Sequence, residues 1–249
     1  MLTGSYTDKG TYRKKNEDFV LCGSFGCHTF LILADGLGGM PYGEVASRMA
    51  CEEAAGILED GWTETADAED RRSFLLRLFN TVNGKILRRC IDEPEYWGMC
   101  TTLTVAVLTD ERLCVGHVGD SRAYLVRDDG VIRVTEDHNR AARLVAEGRI
   151  TEEEALRHPG RNMLTMVVGE NTYLDPYVRE EDLNDGDCVL LVSDGVYSVS
   201  ENEAFAGIRD HKDDPGAFCR DLVLAAVNGG SFDNCTAAAA VVGGKDIEK

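Results

Sequence analysis

Glu17, Asp18, Asp35, Asp120, Asp194 and Asp233 are carboxylates placed at the edges of apolar, strand-like runs or beside glycine. They fall in RKKNEDF (13–19), LILADGLGG (31–39), VGHVGDSRAYL (115–125), VLLVSDGV (189–196) and SFDNCTAAAAVV (231–242). Strands buried in one core would carry such groups together to its rim. Clustered there without cationic partners they repel one another, and a hard cation with oxygen ligands relieves that repulsion. Metal chemistry is therefore the first expectation.

Asp35 is followed by Gly36-Leu37-Gly38-Gly39. Glycine lets the backbone pass close to a ligand and leaves a carbonyl oxygen open. A carboxylate beside a free carbonyl suits Mg²⁺ or Mn²⁺. A strand-end turn in which Asp35 caps its own backbone would account for that motif alone. Its recurrence in Asp194-Gly195, Asp233-Asn234 and Gly119-Asp120-Ser121-Arg122 favours the metal. Arg13, five residues before Asp18, supplies a guanidinium that binds a phosphate oxygen bidentately beside such ions. A surface Arg paired with Glu17 is the competing reading.

The elements that position these groups are legible in the apolar pattern. Strands are expected near 19–22, 28–34, 101–109, 112–119, 122–127, 130–134, 187–193 and 236–242. Thr109-Asp110-Glu111 and Asp128-Asp129-Gly130 read as hairpin loops, which makes the strands they join antiparallel. Helices are expected over 43–59, with Val45, Ala46, Met49, Ala54 and Ile57 inward, and over 71–91, with Phe74, Leu75, Leu78, Phe79, Val82 and Ile86 inward. A third begins with Asp214 as N-cap and Pro215 at N1, buries Phe218, Leu222 and Ala225, and stops at Gly229. Between strands, 139–161 is a polar insertion with a helix ending at Gly148 and a Thr151-x-x-Glu154 capping box. It reads as a flap. The expected fold class is α+β, a four-layer α-β-β-α sandwich in one domain spanning 1–249.

Composition narrows the setting. The 249 residues are 43% hydrophobic, enough for a substantial core. With 26 Lys and Arg against 44 Asp and Glu, the net charge of −18 argues against nucleic acid or an anionic membrane as partner. Apolar runs fall well short of the roughly 20 residues that span a bilayer, and the N-terminus does not read as a secretory signal. Nine cysteines without a C-x-x-C pair or zinc-ligand spacing read as reduced, mostly buried thiols. A soluble cytoplasmic protein is expected.

R-x-x-N-E-D (13–18), A-D-G-x-G-G (34–39), G-x-x-T-T (98–102), V-G-D-S-R-x-Y (118–124), T-x-D-H (135–138), N-x-L-T (162–165), S-D-G (193–195) and D-N-x-T (233–236) occur in that order. This series resembles the PPM family of metal-dependent Ser/Thr protein phosphatases, the type 2C phosphatases, in its compact stand-alone bacterial form. The resemblance covers roughly 4–243. It implies two antiparallel sheets flanked by helices, with a binuclear Mn²⁺ or Mg²⁺ site at one end. It also implies that Asp35 bridges the ions, the Gly36 carbonyl binds one, and Asp194 and Asp233 complete the other. By the same resemblance Glu17 and Asp18 contact metal through water, Asp120 is ligand to a third ion, Arg13 holds the substrate phosphate, and 139–161 is the flap. The reaction implied is hydrolysis of phosphoserine or phosphothreonine by direct attack of a hydroxide shared by two ions. Phosphoproteins are the implied substrates, a cognate Ser/Thr kinase the implied counterpart, and a monomer the implied state.

Some positions depart from the pattern. Leu37 stands where animal-type members carry a His proposed as general acid, Cys100 replaces a Gly, Asn139 a Ser and Met166 an Arg. His138 is the nearest alternative acid, against a buried structural role. Two other functions compete: a phosphoprotein-binding module without turnover, against which stands the full ligand set, and a sigma-regulator phosphatase, whose members usually lack the Arg present here as Arg13.

Overall fold

The structure is a computed structural model and describes residues 1–37, 42–63, 67–200 and 202–243. Gly38 and Gly39 of the glycine-rich motif lie outside the described residues. One sheet contains β1 (Leu2–Asp8), β6 (Arg122–Arg127), β7 (Gly130–Arg133), β9 (Cys188–Val192) and β10 (Cys235–Val241), in the order β1-β10-β9-β6-β7. The other runs β2-β3-β4-β5-β8, from β2 (Asp18–Phe25), β3 (His28–Asp35), β4 (Leu103–Leu108), β5 (Arg112–Val118) and β8 (Tyr177–Asp182). Every pairing is antiparallel. The two hairpins read from the sequence join β4 to β5 and β6 to β7.

The period-2 alternation of β3 explains the layering. Phe30, Ile32 and Ala34 face helices α1 (Gly43–Gly61) and α2 (Ala68–Asp92), packing with Ala50, Leu75 and Phe79. Leu31 and Leu33, on the opposite face, meet Leu191 and Ala238 of the facing sheet. That sheet turns Leu190, Ala237 and Ala239 outward against Phe218 and Val223 of α7 (Pro215–Asn228). Three apolar seams thus separate four layers, α-β-β-α. Each fully buried Leu or Phe contributes roughly 1.5–3 kcal/mol.

The helix ends follow their local chemistry. Asp67 caps α2 by accepting from the Asp70 N–H, and Asp214 caps α7 by accepting from the Ala217 N–H. Within 139–161, α3 (Arg140–Ala146) is capped by Asn139, and α4 (Glu152–Leu156) carries the full Thr151–Glu154 capping box. Two expectations shift in detail. Gly229 has a right-handed backbone, and the left-handed glycine that ends α7 is Gly230, with φ +90°. Ala225 is exposed, and Cys219 and Ala226 are buried in its place, a rotation of the inward face by about one residue. Two strands escaped the pattern, β1 and β8. Both are edge strands with polar sequence, LTGSYTD and YVREED. Two short helices, α5 (Asp194–Tyr197) and α6 (Asn202–Ala206), follow β9.

Candidate active site

Antiparallel pairing gathers the acids. The first residue of β2, Asp18, lies directly opposite the last of β3, Asp35. In the other sheet Val192 at the end of β9 pairs with Arg122 and Ala237, near the starts of β6 and β10. Asp194, Asp120 and Asp233 therefore emerge at the same end. They open on a cleft of about 360 Å³ whose wall includes Arg13, Asp35, Asp120, Asp194 and Asp233. Leu37, Cys100, Leu164 and Val167 form an apolar side. Asp18 sits behind Asp35 and Glu17 is half-buried beside it.

The electrostatics are those of crowded anions. Burial, then repulsion from Asp18, Asp194, Asp120 and Asp233, pushes the Asp35 carboxyl well above the usual carboxylate range. Asp194 is raised well above it too, by burial and then by Asp120, Asp233 and Asp18. Burial lifts Asp120 to about 7, with Asp137 adding and Arg122 opposing. Asp18 rises to about 6 through burial, although Thr236 and Ser193 donate to it. Glu17 is raised by burial and by Glu44. Among the described residues Arg13 is the single cation on the cleft wall. It pairs with Asp233 at 2.5 Å, not with Glu17.

The surrounding polar groups hold these carboxylates in place. Ser193 Oγ and Thr236 Oγ1 donate to Asp18 Oδ2 at 2.8 and 2.6 Å. Thr102 Oγ1 accepts from the Asp35 N–H at 2.9 Å, while its own N–H and the Thr101 hydroxyl donate to the Asp35 carbonyl. The Asn234 amide ties the Arg13 segment down: it donates to the Lys9 and Lys15 carbonyls and accepts from the Glu17 N–H. Glycine is required where backbones touch. A Cβ on Gly36 would stand 2.3 Å from the Gly43 carbonyl oxygen, and one on Gly195 would stand 2.0 Å from that of Asn234.

Sequence reasoning missed two things. Asn234, Thr101 and Thr102 sit in motifs already singled out, but their clamping roles depend on partners up to 225 residues away. Arg122 and Arg133 both bind Asp137, which makes the G-D-S-R and T-x-D-H motifs one network. Of the two roles read for His138, the structure shows the structural one, and the residue has no place on the cleft wall. Its ring stacks on the buried His117 at 5.3 Å, and its Nδ1 accepts from the Gly119 N–H at 3.2 Å. Burial lowers the pKa of both imidazoles, that of His117 to about 3.

Whether these residues suit a divalent cation is decided by their unsatisfied atoms. Asp18 Oδ1 and Asp194 Oδ1 are buried and have no hydrogen-bond partner. Buried acceptors without donors are costly, and an oxygen-seeking cation is the partner such atoms fit. Among the described residues no three such groups approach closely enough to form a finished ion cage. That is the spacing expected where anions repel, with Asp18 turned to its two hydroxyls and Asp233 to Arg13. The donor set is oxygen throughout, which fits Mg²⁺ or Mn²⁺ and not a soft ion.

Fold and site together define a class. Residues 13–214 match the protein phosphatase 2C family, and the chain belongs to it. Among its relatives is protein phosphatase PhpP of Streptococcus pneumoniae, 32% identical over 244 residues, covering 97% of this chain and 98% of PhpP. Serine/threonine protein phosphatase PstP of Mycobacterium tuberculosis is 34% identical over 95% of this chain and 44% of its own. The structure of Stp1 from Staphylococcus aureus superposes with a TM-score of 0.86 at 29% identity, covering 97% of this chain and 95% of that one. The PstP catalytic domain in complex with two manganese ions gives 0.79 at 32% identity, with 97% and 98% covered.

Proposed function

We propose that this protein is a serine/threonine protein phosphatase that uses Mn²⁺ or Mg²⁺ held at the carboxylate cleft. The observation that carries the reading is the convergence of Asp18, Asp35, Asp120, Asp194 and Asp233 on one end of the sandwich, with two orphaned buried oxygens and one guanidinium. Asp35, the Gly36 carbonyl, Asp194 and Asp233 would hold two ions, with Glu17 and Asp18 acting through water and Asp120 toward a third. When bound, such ions lower the pKa of a coordinated water and neutralise phosphate oxygens.

The chain's own groups do the rest. Arg13 gives up part of its pairing with Asp233 to a phosphate oxygen and so orients the phosphorus in the cleft. Its guanidinium also offsets charge that grows on the equatorial oxygens in the transition state. Thr101 and Thr102 fix Asp35 from behind, and Asn234 fixes the Arg13 segment, so neither must reorganise during reaction. Leu37, Cys100, Leu164 and Val167 exclude water from the far wall. The 139–161 segment acts as a flap over the mouth, its base pinned by the Asn139–Leu164 bridge next to the cleft. The whole chain serves as a single catalytic domain.

The finer setting is also proposed. Substrates are phosphoproteins made by a cognate Ser/Thr kinase, and the enzyme works as a monomer in the cytoplasm. No disulfide joins the nine cysteines and seven of them are buried, which suits a reducing compartment. Among the described residues no helix is long and apolar enough to cross a membrane. Hydrolysis of p-nitrophenyl phosphate and of a phosphothreonine peptide should require Mn²⁺, stop with EDTA, and fall roughly 10³-fold in Asp194→Asn. Equal rates in all three conditions would overturn the reading.

A further inference from the structure

Tyr12 and Phe232 are strongly exposed, at 61% and 73%. Their rings lie against each other, with centroids 4.6 Å apart and planes tilted by 44°. Each immediately precedes a residue of the cleft wall, Arg13 or Asp233. The two segments are stitched together by the Arg13–Asp233 pair and by the Asn234 amide. Gly10 packs so closely there that a Cβ would stand 2.5 Å from the Asp233 carbonyl oxygen. The ring pair is therefore a fixed platform at the rim and not the tip of a loose loop.

We infer that Tyr12 and Phe232 form a specificity platform that receives an apolar side chain flanking the phosphorylated residue of the protein substrate. This rests on the phosphatase reading above. Neighbouring residues of any chain are about 3.8 Å apart, so a phosphate seated at Arg13 brings the adjacent substrate residues over the rings one position away. Exposed aromatic faces also attract cations. Here the lysines of the Tyr12 segment argue against that. Lys9 and Lys14 are exposed on the same segment and make no ion pair among the described residues, and Lys15 is paired with Glu44. A substrate Lys or Arg would meet the like charges of Lys9 and Lys14 on that segment, whereas Leu, Phe or Pro meets the apolar ring faces.

Two phosphothreonine peptides that differ only in Leu or Gly beside the phosphorylated residue test this, assayed with Mn²⁺ against the wild type, Tyr12→Ala, Phe232→Ala and Tyr12→Phe. The wild type should prefer the Leu peptide about tenfold in kcat/KM. Each alanine variant should lose most of that preference, chiefly through KM, and Tyr12→Phe should keep it. A wild type indifferent to the two peptides would overturn the inference, as would alanine variants that retain the full preference or lower both peptides by one factor. Wild-type protein that hydrolyses neither peptide overturns the phosphatase reading, and this inference with it.

Discussion

Asp137 and Asp194 lie at the same end of the molecule, one in the segment after β7 and the other at the start of α5. Asp137 accepts from Arg122 at 3.1 and 2.8 Å, from Arg133 at 2.8 Å and from Asn139 at 3.4 Å. Arg122 is in turn covered by the Tyr197 ring at 3.7 Å. Asp194 has one buried oxygen with no partner, and the charges that act on it most strongly are those of Asp120, Asp233 and Asp18, ahead of Arg13. The protein neutralises the first acid internally and leaves the second to be neutralised from outside. A buried carboxylate whose cations belong to the chain is structural. One whose cations are missing from the chain marks a site.

The two groups should respond in opposite ways when an acid is removed. Asp194→Asn or Asp35→Asn should cost roughly 10³-fold in phosphopeptide hydrolysis, yet leave thermal stability in EDTA at pH 8 unchanged or raised, because a repelled charge is gone. Asp137→Asn should instead lower unfolding free energy by about 3 kcal/mol in urea titrations, since Arg122 and Arg133 lose their anion in a largely buried setting. If Asp35→Asn unfolds the chelated protein as severely as Asp137→Asn does, the contrast fails.

Acidity sharpens the same contrast with a smaller effect. A carboxyl whose folded pKa is raised to about 7, as at Asp120, is penalised when ionised, and the penalty is relieved as pH falls through that value toward the unfolded pKa. In EDTA, Asp120→Asn should therefore be more stable than wild type at pH 8, and the difference should shrink as pH falls below 7 and vanish only below about pH 4, under the ordinary carboxyl pKa. Comparing the two proteins cancels His117, whose depressed pKa works the other way and removes stability as pH drops below its ordinary 6.5. A difference that grows toward low pH would show that Asp120 is held as an anion after all. Differential scanning calorimetry across that range reads it out.

Much of this was visible before the fold. The runs LILAD and VLLVSD announce strands that end in an acid, and antiparallel pairing is enough to bring such ends together. The capping residues Thr151, Glu154 and Asp214 act locally, so their roles need no tertiary knowledge. β1 and β8 were hidden because an edge strand pairs on one side only, and its burial comes from neighbours distant in sequence. The Arg122–Arg133–Asp137 network was hidden for a similar reason: the motifs name Arg122 and Asp137 but not Arg133, and only the β6–β7 pairing brings the three together. Arg13 was legible as a phosphate ligand or a surface ion pair. Its partner Asp233, 220 residues on, was not.

Titration of chelated protein with Mn²⁺, followed by calorimetry and by melting temperature on the same samples, tests the central claim most directly. At least two ions should bind per chain and raise the melting temperature in proportion to the logarithm of free Mn²⁺. Asp35→Asn should lose most of both effects, while Asp137→Asn, where still folded, should keep them. Folded wild-type protein that binds no Mn²⁺ at millimolar concentration, or a variant lacking the Asp35 carboxylate that binds as tightly as wild type, would contradict the account.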